Sequence, residues 1–285
     1  MIKLENTEVV GWEHAIRGMR NPKNSWHLSD TFVCDYDCAG CPCHDEDGPS
    51  HACKNHHIEG DAVIGPNDHK LMMSLAKGGP VHAKYRRMIV VYVDITAPLY
   101  WWKEFDTYKL GTVANSCSTM HKIHAKEFTL DDFSHDHLMR LKDDPQCYVW
   151  NGETKYDPTD ILLMTIKLLN RCRNMFLKTK AKEYWWQMIQ LLPTSYNQKR
   201  TVMLNYEVLN NIYHSRKNHK LDEWHEVCKW IESLPYSEII TGECVAVDEP
   251  IQTDFVDYWS KAKLPYRTEE ELEAARKAQE AARNG

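Results

Sequence analysis

Apolar and polar positions alternate differently in the two halves of the chain. In the first half the apolar runs are short and rich in β-branched residues. Glu8–Val10 reads as a short strand and Val90–Ile95 as a buried one. Between them, Trp12–Met19 has helical spacing and runs on into Arg20, placing Arg17 and Arg20 on one face. His69–Ala76 reads as a further helix, capped by Asn67 or Asp68, with Leu71, Met72 and Leu75 as its buried stripe and Gly78-Gly79-Pro80 as its stop. Pro98 has the fixed φ of a first helical turn and opens an aromatic helix. The chain then turns small and polar from Gly111 to Thr119. A core strand, a short helix and a polar loop in that order are a common way to hold a working loop on a rigid support.

The second half is mainly helical. Lys122–Glu127 reads as a connection and Phe128–Leu141 as a helix, with Thr129 and Asp132 as an Asp-bearing capping box. Turns follow at Asp144-Pro145 and Asn151-Gly152. A long helix is expected from Pro158 to about Lys178, another over Glu183–Leu192, a third from about Gln198 to Tyr213 and a fourth from Asp222 to Leu234. With 202–216 as one helix, Asn205 and Arg216 fall within about 20° of each other around the axis, with Leu209 and Ile212 on the same side. Beyond Gly242, Glu243–Val247 reads as a strand, and a surface helix starts at the cap Thr268 with Glu271.

These elements describe an α/β (α+β mixed) chain, a central sheet packed with several long helices. One domain spans 1–241, with an irregular insertion at about 30–57, and 242–285 is a C-terminal extension. The formal charge of -6 and the absence of long single-sign blocks argue against wholesale nucleic-acid binding. No run approaches a membrane span, and MIKLENTEVV lacks the order of a signal peptide. A reducing cytoplasm with free thiols is the expectation. There is no dinucleotide fingerprint, P-loop or HExxH.

Ten cysteines include Cys34, Cys38, Cys41, Cys43 and Cys53, with His44, His51, His56 and His57 beside them. That is enough for zinc, yet only Cys38 and Cys41 have knuckle spacing. Structural zinc and a loop of unbound thiols both fit the pattern.

Two stretches carry a resemblance. TAPLYWWKEFDTYKLGTVANSCST and LLPTSYNQKRTVMLNYEVLNNIYHSR resemble, in order and spacing, the two central segments of the flavin-dependent thymidylate synthases. The chain resembles a divergent member in which Thr107-Tyr108-Lys109 replace the Arg-His-Arg triplet. Ala97-Pro98 match the family's dipeptide, and Lys103 and Glu104 stand for an Arg and a phosphate-holding Gln. Asn115, Cys117 and Thr119 stand for the Glu, Ser and Arg around the pyrimidine; Lys199 stands for the phosphate Arg, and Glu207 for another Arg.

The resemblance implies Lys103, Glu104, Asn115, Cys117, Thr119, Lys199 and Arg216 as substrate contacts, with Arg216 polarising the pyrimidine. It implies His82, Thr107, Tyr108, Lys109, Asn205, Asn211 and His219 as flavin contacts. Cys117 also invites a nucleophile reading, although the family needs no enzyme thiol. Lys for Arg keeps charge and loses the planar fork. Thr107, Thr119 and Glu207 remove cations that Arg17, Arg20, Arg86, Arg87, Lys122 or Arg200 could supply.

The implied reaction methylates dUMP to dTMP with methylenetetrahydrofolate and reduced FAD, with NADPH recharging the flavin. The implied assembly is a cytoplasmic homotetramer whose sites form between subunits. The alternatives are a related pyrimidine-nucleotide hydroxymethylase, a non-catalytic nucleotide-binding or structural relative, and a cysteine–zinc interaction protein.

Overall fold

The structure, a computed structural model, describes residues 2–33, 44–45, 48–49 and 62–242. The five cysteines from Cys34 to Cys53, with His51, His56 and His57, and the predicted elements past Gly242 lie outside the described residues.

In chain order the elements begin with β1 (Lys3–Val10), α1 (Trp12–Arg20) and β2 (Phe32–Val33). Next come β3 (His44–Asp45), β4 (Gly48–Pro49), β5 (Ala62–Val63) and α2 (Pro66–Lys77). The centre holds β6 (Val90–Pro98), α3 (Leu99–Phe105) and β7 (Val113–Ser116). Then follow β8 (Val149–Trp150), β9 (Lys155–Tyr156), α4 (Pro158–Thr179), α5 (Lys182–Leu191) and β10 (Asn197–Asn205). The described residues close with α6 (Tyr206–Arg216), α7 (Asp222–Glu232) and α8 (Glu238–Thr241). Two further pairings, β2 with β5 and β8 with β9, form two-stranded sheets of their own. By itself, β3 pairs with β4 in a separate two-stranded ladder.

The main sheet has the order β1-β6-β10-β7, antiparallel throughout. Its register explains which side chains share a face. Val93 lies opposite Val202 and Val91 opposite Leu204, so β6 and β10 send the same alternate positions into the core. Val91, Val93, Ile95, Val202 and Leu204 are buried, each contributing about 1.5–3 kcal/mol relative to exposure. Against them pack Trp12 and Ile16 of α1, Trp101 and Trp102 of α3, Leu209 and Ile212 of α6 and Trp224 of α7. The other face carries Tyr92, Asp94, Thr96, Lys199 and Thr201 and is left open, as antiparallel sheets allow. A bulge between Glu5 and Glu8 interrupts β1, with Asn6 at φ 53. Gly11 joins β1 to α1 at φ +93, where a Cβ would sit 2.2 Å from the Met88 carbonyl oxygen.

A second core is separate from the first. Leu162, Ile166, Leu169 and Cys172 of α4 and Met188 of α5 enclose Ile123, Phe128 and Phe133. Asp157 caps α4 in a reciprocal box with Asp160.

The structure corrects several expectations. Gln198–Tyr213 is not one helix: Asn197–Asn205 is the third strand of the main sheet, and only Tyr206–Arg216 is helical. Asn205 therefore does not share a helical face with Arg216; its Oδ1 caps α6 by accepting the Glu207 and Val208 N–H groups at 3.1 and 3.0 Å. Phe128–Leu141 contains a single 3₁₀ turn, Leu130–Asp132, because Phe128 and Phe133 are consumed as anchors of the second core. Thr129 and Asp132 do form their reciprocal cap. Pro98 ends β6, and α3 begins one residue later, its first N–H groups bonded by the Tyr196 and Thr194 carbonyls. Neither Asn67 nor Asp68 caps α2, which starts after Gly65.

Candidate functional site

Four of the positions singled out in the sequence meet where α3, α6 and α7 converge. Arg216, in the last turn of α6, donates from Nη1 to Glu104 Oε2 at 2.7 Å and from Nε to the Tyr108 hydroxyl at 2.9 Å. His219 Nε2 lies 3.1 Å from the same Glu104 oxygen. The indole Nε1 of Trp224 donates to it at 3.2 Å. His219 Nδ1 accepts the Leu221 N–H at 3.2 Å, so the ring proton sits on Nε2, the nitrogen nearer Glu104. The guanidinium also lies over the Trp224 ring, 4.8 Å from its centroid. Glu104, Arg216 and His219 keep 34%, 17% and 23% of their side-chain surface exposed. The cluster can be reached from solvent. Trp224 was not singled out from sequence: a fully buried tryptophan in an amphipathic helix reads as core, and only its Nε1–H marks it as more.

The remaining substrate positions stand elsewhere. Asn115 lies opposite Thr201, and Thr201 and Lys199 project from the open face of the sheet. Lys199 Nζ is 3.0 Å from Asp94 and 3.9 Å from Glu5. Hydrogen bonds from Thr201 and Asn6, with Lys199 beside them, hold the Asp94 carboxyl down at about 2. Cys117 is exposed; its N–H bonds the Lys199 carbonyl at 2.9 Å, and its own carbonyl accepts from Gln198 Nε2 at 2.8 Å. The contacts described for Cys117 include no histidine. Lys103 is exposed on α3 and Thr119 is half-buried in a turn.

The positions expected to seat a flavin are spread out. Thr107 Oγ1 caps the end of α3 by donating to the Glu104 carbonyl at 2.8 Å. Lys109 and Asn211 are exposed. His82 lies over Gly78 in the turn after α2.

Three of the six cations proposed as substitutes are committed to the fold, and three stand exposed. Arg20 is buried and donates to Asp68 at 2.6 Å, and Asp68 also gathers Ser29, Asp30 and Thr31. These bonds and the arginine together lower the Asp68 carboxyl against the opposing effect of burial, which is the largest single influence. Arg86 is buried 3.5 Å from Glu207, so the Glu at that position answers a local charge. Arg200 spans Asp106 at 2.8 Å and the face of Trp102. Arg17 is exposed beside Glu13, and Arg87 and Lys122 are exposed. Among the described residues no group of His, Cys, Asp and Glu is arranged to hold a metal, and no helix is long and apolar enough to cross a membrane.

No protein-family model matches the chain, and no curated protein matches its sequence. The architecture does have solved counterparts. The flavin-dependent thymidylate synthase ThyX of Helicobacter pylori, in complex with FAD and dUMP, superposes with a TM-score of 0.50 at 14% identity, covering 84% of this chain and 95% of that one. A second structure of the same protein with FAD and dUMP gives the same figures. A UMP/dUMP methylase, PolB of Streptomyces cacaoi, aligns at 11% identity and a TM-score of 0.47, over 85% of this chain and 94% of that one. The chain is a mixed α/β protein with a central sheet and several helices. Its fold is the ThyX-like one.

Proposed function

We propose that this chain is a flavin-dependent enzyme acting on a pyrimidine nucleotide, methylating dUMP with methylenetetrahydrofolate. The observation that carries the reading is Arg216. It closes α6 with its guanidinium over the Trp224 and Tyr108 rings, at the position the resemblance assigns to pyrimidine contact, in a chain with the ThyX-like fold.

The fit to FAD is read from the donors available. Lys109 is an exposed cation suited to a diphosphate, Asn211 offers an exposed amide, and Tyr108, next to Lys109 in the chain, presents a half-buried ring. Asn205 and His219 contribute less than the resemblance implies, since each is already engaged within the fold. Reduced flavin would supply the hydride that completes the methyl group, and NADPH would recharge it. The chain's own task is placement: Arg216 polarises the pyrimidine carbonyl region, and Lys199 holds the phosphate. Lys199 stands on the open face of the sheet, while Arg216 belongs with the helices that cover the other face. A site using both takes them from two copies, which agrees with the homotetramer we propose. Cys117 lines this site without acting as a nucleophile.

A second reading, a non-catalytic nucleotide-binding or structural relative, draws on the pairing of Arg216 with Glu104 and of Lys199 with Asp94. One measurement separates the two: the visible spectrum of the purified protein after incubation with excess FAD and desalting. Retained flavin bands are expected. Folded protein that elutes colourless sinks the flavin reading and moves the second one to first place.

A further inference from the structure

The Glu104 cluster sets a half-buried carboxylate among side chains that other contacts hold in place. Trp224 is fully buried and packs against Trp101 at 4.7 Å between ring centroids. His219 is oriented by the Leu221 N–H. Arg216 is held by the Tyr108 hydroxyl through Nε and by two aromatic faces. None of these restraints involves Glu104. The carboxylate, by contrast, is the most exposed of the three charged or titratable partners and sits on a flexible stem from α3. Two N–H donors, Arg216 Nη1 from α6 and Trp224 Nε1 from α7, converge on its Oε2, and His219 Nε2 from the following turn lies 3.1 Å from the same atom.

We propose that these donors form an oxyanion seat for a ligand, and that Glu104 occupies it as a built-in competitor. A carboxylate oxygen with two donors and an imidazole nitrogen beside it is satisfied in the way an anionic ligand oxygen is, and charge-assisted bonds such as the one from the guanidinium are the strong ones. A ligand oxygen takes the seat by displacing Glu104, which swings outward on its exposed stem while the side chains around it stay. The shared chemistry is an anionic or strongly accepting oxygen. Two sources present it: a phosphate monoester, and the carbonyl of a pyrimidine imide as charge builds on it. The inference deepens the nucleotide reading and rests on it for the second source; the phosphate arm stands apart from it.

The test is calorimetric titration of inorganic phosphate and, separately, 2′-deoxyuridine into the wild-type chain, Glu104→Ala and Glu104→Ala/Arg216→Met, with circular dichroism as the check of folding. The expected result is at least a tenfold gain in affinity for one of the two probes in Glu104→Ala, lost again in the double variant. Which probe gains identifies the source. Should Glu104→Ala fail to fold, Glu104→Gln removes the charge with little change of shape and is expected to show a smaller gain. Folded variants that bind neither probe better than wild type overturn the seat. A wild-type chain that retains no flavin, alongside a Glu104→Ala variant that gains phosphate, overturns the flavin reading and leaves the seat standing; flavin retention with no gain for either probe does the reverse.

Discussion

Asp94 shows how a single side chain on the open sheet face sets a pH dependence. Thr201 donates to its Oδ1 at 2.6 Å, Asn6 to its Oδ2 at 3.0 Å, and Lys199 stands 3.0 Å away. All three favour the carboxylate, so the folded group titrates at about 2 against an ordinary 3.8. The unfolded chain binds this proton first as pH falls. The stability contributed is therefore complete above about pH 4, declines below it, and is gone once the pH has passed through 2. Asp94→Asn removes the titration, so the variant is expected to lose less stability than wild type between pH 4 and pH 2 in urea melts. Equal acid slopes for the two proteins would refute this account. The same pairing bears on Lys199, whose ammonium must exchange Asp94 for any phosphate it holds. Arg20 and Arg86 make the complementary point. Spacing in the sequence leaves an arginine free to be solvated or to meet a ligand, and here burial beside Asp68 and Glu207 commits both to the fold.

At the level of elements, the transition from β10 to α6 decides how the second segment works. Gln198, Val202 and Leu204 are buried while Thr201 is exposed, an alternation of period two that ends at Asn205. The helical periodicity that starts at Tyr206 is strong enough to make QKRTVMLN read as its first turns, and the strand is hidden in the sequence for that reason. Asn205 marks the boundary and has a helix-capping role that its position in the resemblance did not suggest. Asn205→Ala is expected to cost about 1 kcal/mol in chemical denaturation, and Asn205→Asp to cost much less, because a carboxylate at that position accepts the same two N–H groups. Equal losses for both variants would point away from capping. Long periodic helices such as α4 and the β-branched run of β6 were legible because one pattern runs uninterrupted through each. The cluster of Glu104, Tyr108, Arg216 and His219 was legible only through family order. What no local pattern carries is the sheet register, and the register separates Lys199 from Arg216.

For the whole molecule, the question is what covers α4. Its 22 residues extend about 33 Å, and Leu162, Ile166 and Leu169 face the second core. Ile161, Met164 and Leu168 form another stripe at spacings of three and four, 40%, 40% and 46% exposed. A lone exposed leucine needs no explanation, but an aligned apolar stripe on a long helix exposes surface that association removes from water. This stripe and the division of Lys199 and Arg216 between two faces of the sheet lead to the same expectation: the working unit contains several copies of the chain. Light scattering at micromolar concentration is expected to give a tetramer for the wild type and a smaller species for Leu168→Asp. The aspartate places a charge in the middle of the stripe without touching the second core, so circular dichroism should be unchanged. If the substituted protein remains tetrameric, copies meet through another surface. A monomeric wild type would remove the shared site, and Arg216 would then have to work with groups from its own chain, beginning with Glu104.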